Sequence, residues 1–480
     1  MSLIVVLAFL CSAGANLIVY DGPGSGVNPS NKYDVYASQD GHKHKLFVYM
    51  STAEKRNEEA EKKNRTQSWT SFAFTGGPVT VEVHTKVKDF SKCTVRPRSY
   101  NYKCQKSGHN TATFHIDKAL KMMSVEFDYD TGDGYATDIR DKLFIFADPP
   151  EGKTPNPHDQ GVLFYGPGVH VLGGTKTVEC KSGIKEIYLA PGSYLHGSLD
   201  LQCDGIRLHG RGIISTEMFA HKSSAIGWAI IQGRADHTTV EGITMVDPSR
   251  FYYRLLQDHN VVRNVKMVAA WTGNSDGVAQ GDYGLLEDTF IIADDASVKF
   301  HGDHLKIQRL VIWQMQNGGV FLTGYGTERV DDVSVEDCDV IHTDWCDFKG
   351  RCMHVSGNDA VIDNSGTEHF HISNIHFKDI RVEGLVQRIV RYAFRDDADG
   401  TVSHVTVENL SVDEQPLHDQ MHNELSGSKN GRIVDWKFID LTIGGHCVND
   451  YKTPAADFVI DERTADVTFE CRGHHPPLVG

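Results

Sequence analysis

VEGITM (240–245), VRNVKM (262–267), LEDTFI (286–291) and IQRLVI (307–312) are four copies of one cassette: an apolar residue, two mostly polar ones, then usually apolar, polar, apolar. Further copies begin at Ile184 (IKEIYL), Cys203 (CDGIRL), Val335 (VEDCDV), Phe377 (FKDIRV), Val407 (VENLSV) and Phe438 (FIDLTI). Period-two alternation turns one face of a strand inward, and steps of 22, 24, 21 and 28 residues between the starts at Val240 and Val335 are each one turn of a solenoid. Stacked in parallel, equivalent residues of successive coils lie about 4.8 Å apart and their apolar positions fill a continuous interior. The expectation is a right-handed parallel β-helix over residues 158–480. A different β solenoid or a sandwich is the competing architecture for the cassette taken alone. The step of 42 residues from Val335 to Phe377 requires an inserted loop, of the kind that builds binding walls.

Residues 16–157 lack this period. Val79 to Val87, Ala112 to Ile116, Met123 to Phe127 and Lys142 to Ala147 read as alternating antiparallel strands. They are broken at Gly76-Gly77 and Gly132-Asp133-Gly134, and a linker opens at Pro149-Pro150. This predicts an N-terminal β-sandwich, with 54–65 as a charged, solvated insertion. The chain is thus expected to be all-β, in two units.

With 480 residues, 40% hydrophobic, and 45 Gly against 15 Pro, the composition is that of a folded, turn-rich β protein. A formal charge of −16 disfavours nucleic acid, anionic membrane and polyanionic polysaccharide as partners, unless a local basic cleft overrules it. Leu3 to Cys11 followed by Ala13-Gly14-Ala15 reads as a signal peptide over 1–15, although no Lys or Arg precedes the apolar run. No later run reaches the roughly 18 apolar residues of a membrane span, so the expected product is secreted and soluble.

Removing Cys11 leaves nine cysteines, so one thiol should stay free where pairing is expected. Spacing suggests Cys93 with Cys104, Cys180 with Cys203, Cys447 with Cys471, and Cys346 with Cys352, leaving Cys338 unpaired. No spacing of Cys or His supports a metal site, and no cofactor is expected. Asn64-Arg65-Thr66 and Asn409-Leu410-Ser411 are glycosylation sequons.

Asn274-Ser275-Asp276-Gly277 precedes the Leu286 cassette and Ala293-Asp294-Asp295-Ala296 follows it. Eighteen or nineteen residues separate the acids, nearly one coil, so stacking brings three carboxylates to one patch. Clustered carboxylates raise one another's pKa, which lets one stay protonated while the others are ionised. Cleaving a glycosidic bond requires that division, an acid for the leaving oxygen and a base for water.

The strip WTGNSDG...ADDASVKFHG, from Trp271 to Gly302, resembles the active-site strip of glycoside hydrolase family 49, the dextranases and isopullulanases, and more distantly that of the polygalacturonases. Outside it, VTVEVHTKV (79–87), TVRPRSYNY (94–102), SVEFD (124–128), LFIFADPPE (143–151), LFYGPGVHVLGG (163–174) and IYLAPGSYLHGSLDL (187–201) resemble that family's sandwich and first coils. The resemblance implies an inverting hydrolase in which Asp294 is the general acid and Asp276 with Asp295 activates water. The Gly-His-Gly and Arg-x-Lys expected of a polygalacturonase are not found, which favours a neutral α-glucan such as dextran or pullulan, acted on by a monomer. Ser275 replaces the more usual Thr, and GGVFLTG after Asn317 departs from the family pattern, leaving linkage open.

Lys299 either hydrogen-bonds sugar hydroxyls or neutralises the acids, and Asn317, about one turn from Asp295, is placed to contact sugar. Trp271, Trp313, Tyr252 and Tyr253 are candidates for stacking on pyranose rings, against the competing role of core packing. His301 and Asp247 are weaker candidates for the same cleft, and Asn274 is expected to order the Asp276 turn. Two other functions compete: a pectin hydrolase, which needs a basic cleft, and a catalytically silent extracellular glycan-binding or matrix protein.

Overall fold

The computed structural model describes residues 16–53, 65–129, 141–326, 328–345, 359–365, 368–415, 422–453 and 456–473. The expected leader, most of the charged insertion, the Asn64 sequon and the Cys346–Cys352 pair lie outside them. Among the described residues the chain is all-β, with short 3-10 turns as its helical pieces. No helix is long and apolar enough to cross a membrane.

The N-terminal unit is a sandwich. One sheet orders His42–Leu46, Tyr33–Gln39, Val79–Thr85, Thr111–Ile116 and Gln105–Gly108; the other orders Asn16–Val19, Thr66–Thr75, Lys142–Asp148, Lys121–Phe127 and Cys93–Arg96, with Tyr49–Thr52 also on Thr66–Thr75. Alternation is obeyed where one face is wet: Val79, Val81 and Val83 are buried and the residues between them are half-buried. Lys142–Asp148 corrects the expectation of a wholly antiparallel pattern, because it pairs in parallel with Thr66–Thr75 and is buried at every residue. LFIFA is a continuous apolar run, the pattern of a strand covered on both sides. Leu143 and Ile145 enter the sandwich core, while Phe144 and Phe146 each pack 5.2 Å from the Phe290 ring of the second unit.

That second unit, whose first strand is Val162–Tyr165, is a right-handed parallel β-helix. A coil holds three short strands, for example Leu285–Glu287, Phe290–Ala293 and Val298–Phe300. From Val240 onward the first cassette position stacks in register through Val262, Leu286, Ile307, Val335, Phe377, Val407 and Phe438. The last position does likewise from Met245 to Ile443. The two copies assigned at Ile184 and Cys203 are out of phase, because Val240 stacks on Leu208 and Leu208 on Ile187. Short apolar runs there satisfy the pattern in more than one frame.

The cassette is a bent pair of strands, not one. Its third residue has positive φ in every coil from Gly242 through Asn264, Asp288, Arg309, Asp337, Asp379 and Asn409 to Asp440. Gly, Asn and Asp dominate there because they tolerate the left-handed region that the corner requires. Asn409, at one such corner, donates to Asp379 of the coil before.

The fifth position points outward yet is buried at Thr244, Lys266, Phe290, Val311 and Asp339, since the sandwich covers this face. Lys266 reaches Asp148 at 2.6 Å and Ser99 donates to Asp339 at 3.0 Å. Disulfides join Cys93 to Cys104, Cys180 to Cys203 and Cys447 to Cys471. Cys338 is free, buried at the inward fourth position of its cassette.

Candidate active site

The three aspartates meet at the corner between the second and third strands of adjacent coils. Asp294 donates its backbone N–H to the carbonyl of Ser275 at 3.0 Å, and Gly277 donates to the Ala296 carbonyl at 3.0 Å, which locks the Asn274–Gly277 turn against the acid pair. A Cβ on Gly277 would stand 2.1 Å from the Ser297 oxygen, so this close approach requires glycine. Asp276, Asp294 and Asp295 are all buried.

Their environments differ. Asp295 accepts from the Asn317 amide at 2.8 Å, the Asn274 amide at 3.2 Å and the Ala296 N–H at 2.8 Å. Asp294 accepts from the Asn317 backbone N–H at 3.3 Å. Asp276 faces the Lys299 ammonium at 2.5 Å. Burial and then the charge of Asp295 push the Asp276 carboxyl up to about 7, although Lys299 pulls the other way. Burial opposes the Lys299 charge, but Asp276 and Asp295 hold that ammonium above its ordinary range. Half-buried His301 is pulled down to about 4 by burial and by the cations Lys299 and Arg254, so it lines the site as a neutral imidazole.

Lys299 and Asn317 both reach the acids, Lys299 on Asp276 and Asn317 on Asp295. Asn274 orders a turn, but its amide reaches Asp295 one coil on. Asp247 is buried at the same corner two coils earlier, its N–H on the Val268 carbonyl.

The aromatic assignments need correction. Trp271, Trp313, Tyr252 and Tyr253 are at most 1% exposed and offer no ring to a sugar. Tyr253 lies in the solenoid core and Tyr252 donates to the Val268 carbonyl at 2.7 Å. Trp271 donates to Ser51 at 3.1 Å and Trp313 packs edge-on to Phe144, 6.0 Å away, so both serve the contact with the sandwich. In sequence an outward-facing aromatic looks the same whether solvent or a second domain covers it.

Other residues complete the site without a motif to announce them. Gln314 is buried and donates to the Asp295 and Asn317 carbonyls at 2.9 and 2.7 Å, while accepting from Ser297 at 2.6 Å. Gly318, at φ +82°, passes under Asp295; a Cβ there would lie 2.4 Å from the Ala296 nitrogen. The Lys299 ammonium lies 4.9 Å from the Phe251 ring centre and 5.4 Å from that of Tyr325. Among the described residues no group of three or more His, Cys, Asp or Glu is disposed to hold a metal ion.

Residues 22–149 match the model of the glycosyl hydrolase family 49 N-terminal Ig-like domain. The chain is similar to family 49. A dextranase from Arthrobacter sp. (strain CB-8) is 23% identical over 81% of this chain and 75% of its own, and an isopullulanase from Aspergillus niger 21% identical over 79% and 78%. Among solved structures, Dex49A from Penicillium minioluteum superposes with a TM-score of 0.76 at 18% identity, covering 94% of this chain and 96% of that one. The family 49 likeness therefore spans both units, and at these identities the structural match speaks for the fold.

Proposed function

We propose that this chain is a secreted, inverting glycoside hydrolase that cleaves α-glucosidic bonds of a dextran-like or pullulan-like polysaccharide. The observation that carries the reading is a trio of carboxylates on adjacent coils whose surroundings divide them chemically. Asp295 is held in place by three hydrogen-bond donors. Asp276, lifted to about 7 beside Lys299, is a base poised near neutrality. By the family likeness, Asp294 gives its proton to the leaving oxygen while Asp276 and Asp295 draw the proton from the attacking water. That water adds to the anomeric carbon from the face opposite the departing sugar, so the configuration inverts. The buried floor limits competing water, and disulfides fit an oxidising, extracellular setting.

Secreted protein assayed on dextran, pullulan and polygalacturonate tests this. Hydrolysis of an α-glucan, abolished in Asp294→Asn, with inversion seen by NMR of the first-formed anomer, is the expected outcome. Undiminished activity in Asp294→Asn, or net retention, refutes the roles given.

A further inference from the structure

Trp228 is 55% exposed, an unusual position for an indole, and it is held in place. The Gln232 side chain accepts from the backbone N–H of both Trp228 and Ala229, and Gly227 donates to Thr175 at 3.1 Å. Phe251 donates its N–H to the Trp228 carbonyl, and Tyr252 donates to that of Asp276. Trp228 therefore stands two coils before Asp276, roughly 10 Å along the axis. That is the length of about two sugar units on the side of the acids away from Tyr325.

Two guanidiniums lie beside it. Arg250 is centred 4.5 Å and Arg254 5.6 Å from the indole ring centre. Arg254 occupies the row Gln232, Arg254, Ala279, Lys299, in which the small Ala279 between the two cations is buried against Phe251. Most arginines of this acidic chain have carboxylate partners, for example Arg96, Arg309 and Arg381. Among the described residues neither Arg250 nor Arg254 has one within 4.0 Å; Arg254 feels the charge of Asp276 from farther off, and the Arg250 Nε is buried without a hydrogen-bond partner. Half-buried guanidiniums with no carboxylate in direct contact are matched by carboxylate or sulfate oxygens far better than by hydroxyls.

We propose that Trp228, Arg250 and Arg254 form a subsite for a sugar unit bearing an anionic group, its ring on the indole and its carboxylate or sulfate on the guanidiniums. The subsite extends the cleft of the hydrolase proposed above and rests on that reading for its place in the reaction, but its ligand chemistry can be tested separately. The full chain carrying Asp294→Asn would be titrated, by NMR, with methyl α-glucoside, its 6-sulfate and methyl α-glucuronide. At least tenfold tighter binding of one or both anionic glycosides is expected. Which one binds distinguishes sulfate from carboxylate.

Arg250→Gln with Arg254→Gln should abolish the preference, the double Lys variant should keep part of it, and Trp228→Ala should weaken all three ligands. Equal binding of neutral and anionic glycosides, or a preference that survives the double Gln variant, overturns the subsite. Dextran hydrolysis by the unmodified chain alongside equal binding would refute the subsite alone. No hydrolysis of any glucan alongside anion-selective binding would refute the neutral-glucan reading alone.

Discussion

Replacing Lys299 with Met tests whether the ammonium holds Asp276 in its working state. The two charged groups are 2.5 Å apart and both are nearly buried. An opposite charge at such range lowers a carboxyl pKa by about 1–3 units, and each unit is about 1.4 kcal/mol. Removing it should carry the Asp276 carboxyl from about 7 to roughly 8–10.

A base must be ionised to accept a proton, so activity falls as pH drops through its pKa. At pH 6 roughly a tenth of Asp276 is ionised in the native protein, and the variant would retain about a tenth to a thousandth of that. The acid limb of kcat/KM on the hydrolysed glucan should move up by the same interval, with activity recovering as pH is raised. Carboxyl NMR titration of Asp276 reads the same shift without substrate. An unmoved limb with uniform loss at every pH would refute the reasoning and assign Lys299 to sugar hydroxyls.

Three further outcomes follow from the packing. Trp271→Ala and Trp313→Ala should each lose about 3–5 kcal/mol in denaturant unfolding with KM unchanged, since both rings fill the contact with the sandwich; a raised KM in a fully folded variant would restore them as sugar platforms. Buried Asp363 has its carboxyl pushed up to about 8 by burial, against the pull of Arg391. A folded-state pKa above the unfolded value means the folded state holds the proton more tightly, so Asp363 favours unfolding progressively as pH rises from about 4 to about 8. Asp363→Asn should flatten that slope in unfolding titrations, and an unchanged slope would contradict a protonated Asp363. Gly318→Ala forces a Cβ against Ala296 at φ +82° and should cost about 1–3 kcal/mol and displace Asp295, seen as lost activity in protein that still unfolds cooperatively; normal turnover would show that the turn has slack.

A solenoid coil touches mainly its neighbours, so its rules are local and repeat in the sequence. Hence the cassette, the placement of Asp276 one coil from Asp294 and Asp295, three disulfides between or within coils and hairpins, and the unpaired Cys338 were legible from spacing. Spacing failed where the code is degenerate, as in the frame of the first two cassettes. It was also blind where two distant segments meet. Whether Trp271 and Trp313 see solvent depends on Ser51 and Phe144, more than 160 residues away, and no periodicity encodes that docking.

Net charge likewise averages over the chain, whereas a cleft is local. The sequence by itself determined a solenoid with three acids on neighbouring turns, because strand period and coil length are short-range quantities. Only the tertiary structure decided which outward side chains the sandwich buries, that Asp276 is the carboxyl raised beside Lys299, and that Arg250 and Arg254 lie over Trp228 with no carboxylate in direct contact, because each depends on what the folded chain packs or leaves open around one side chain.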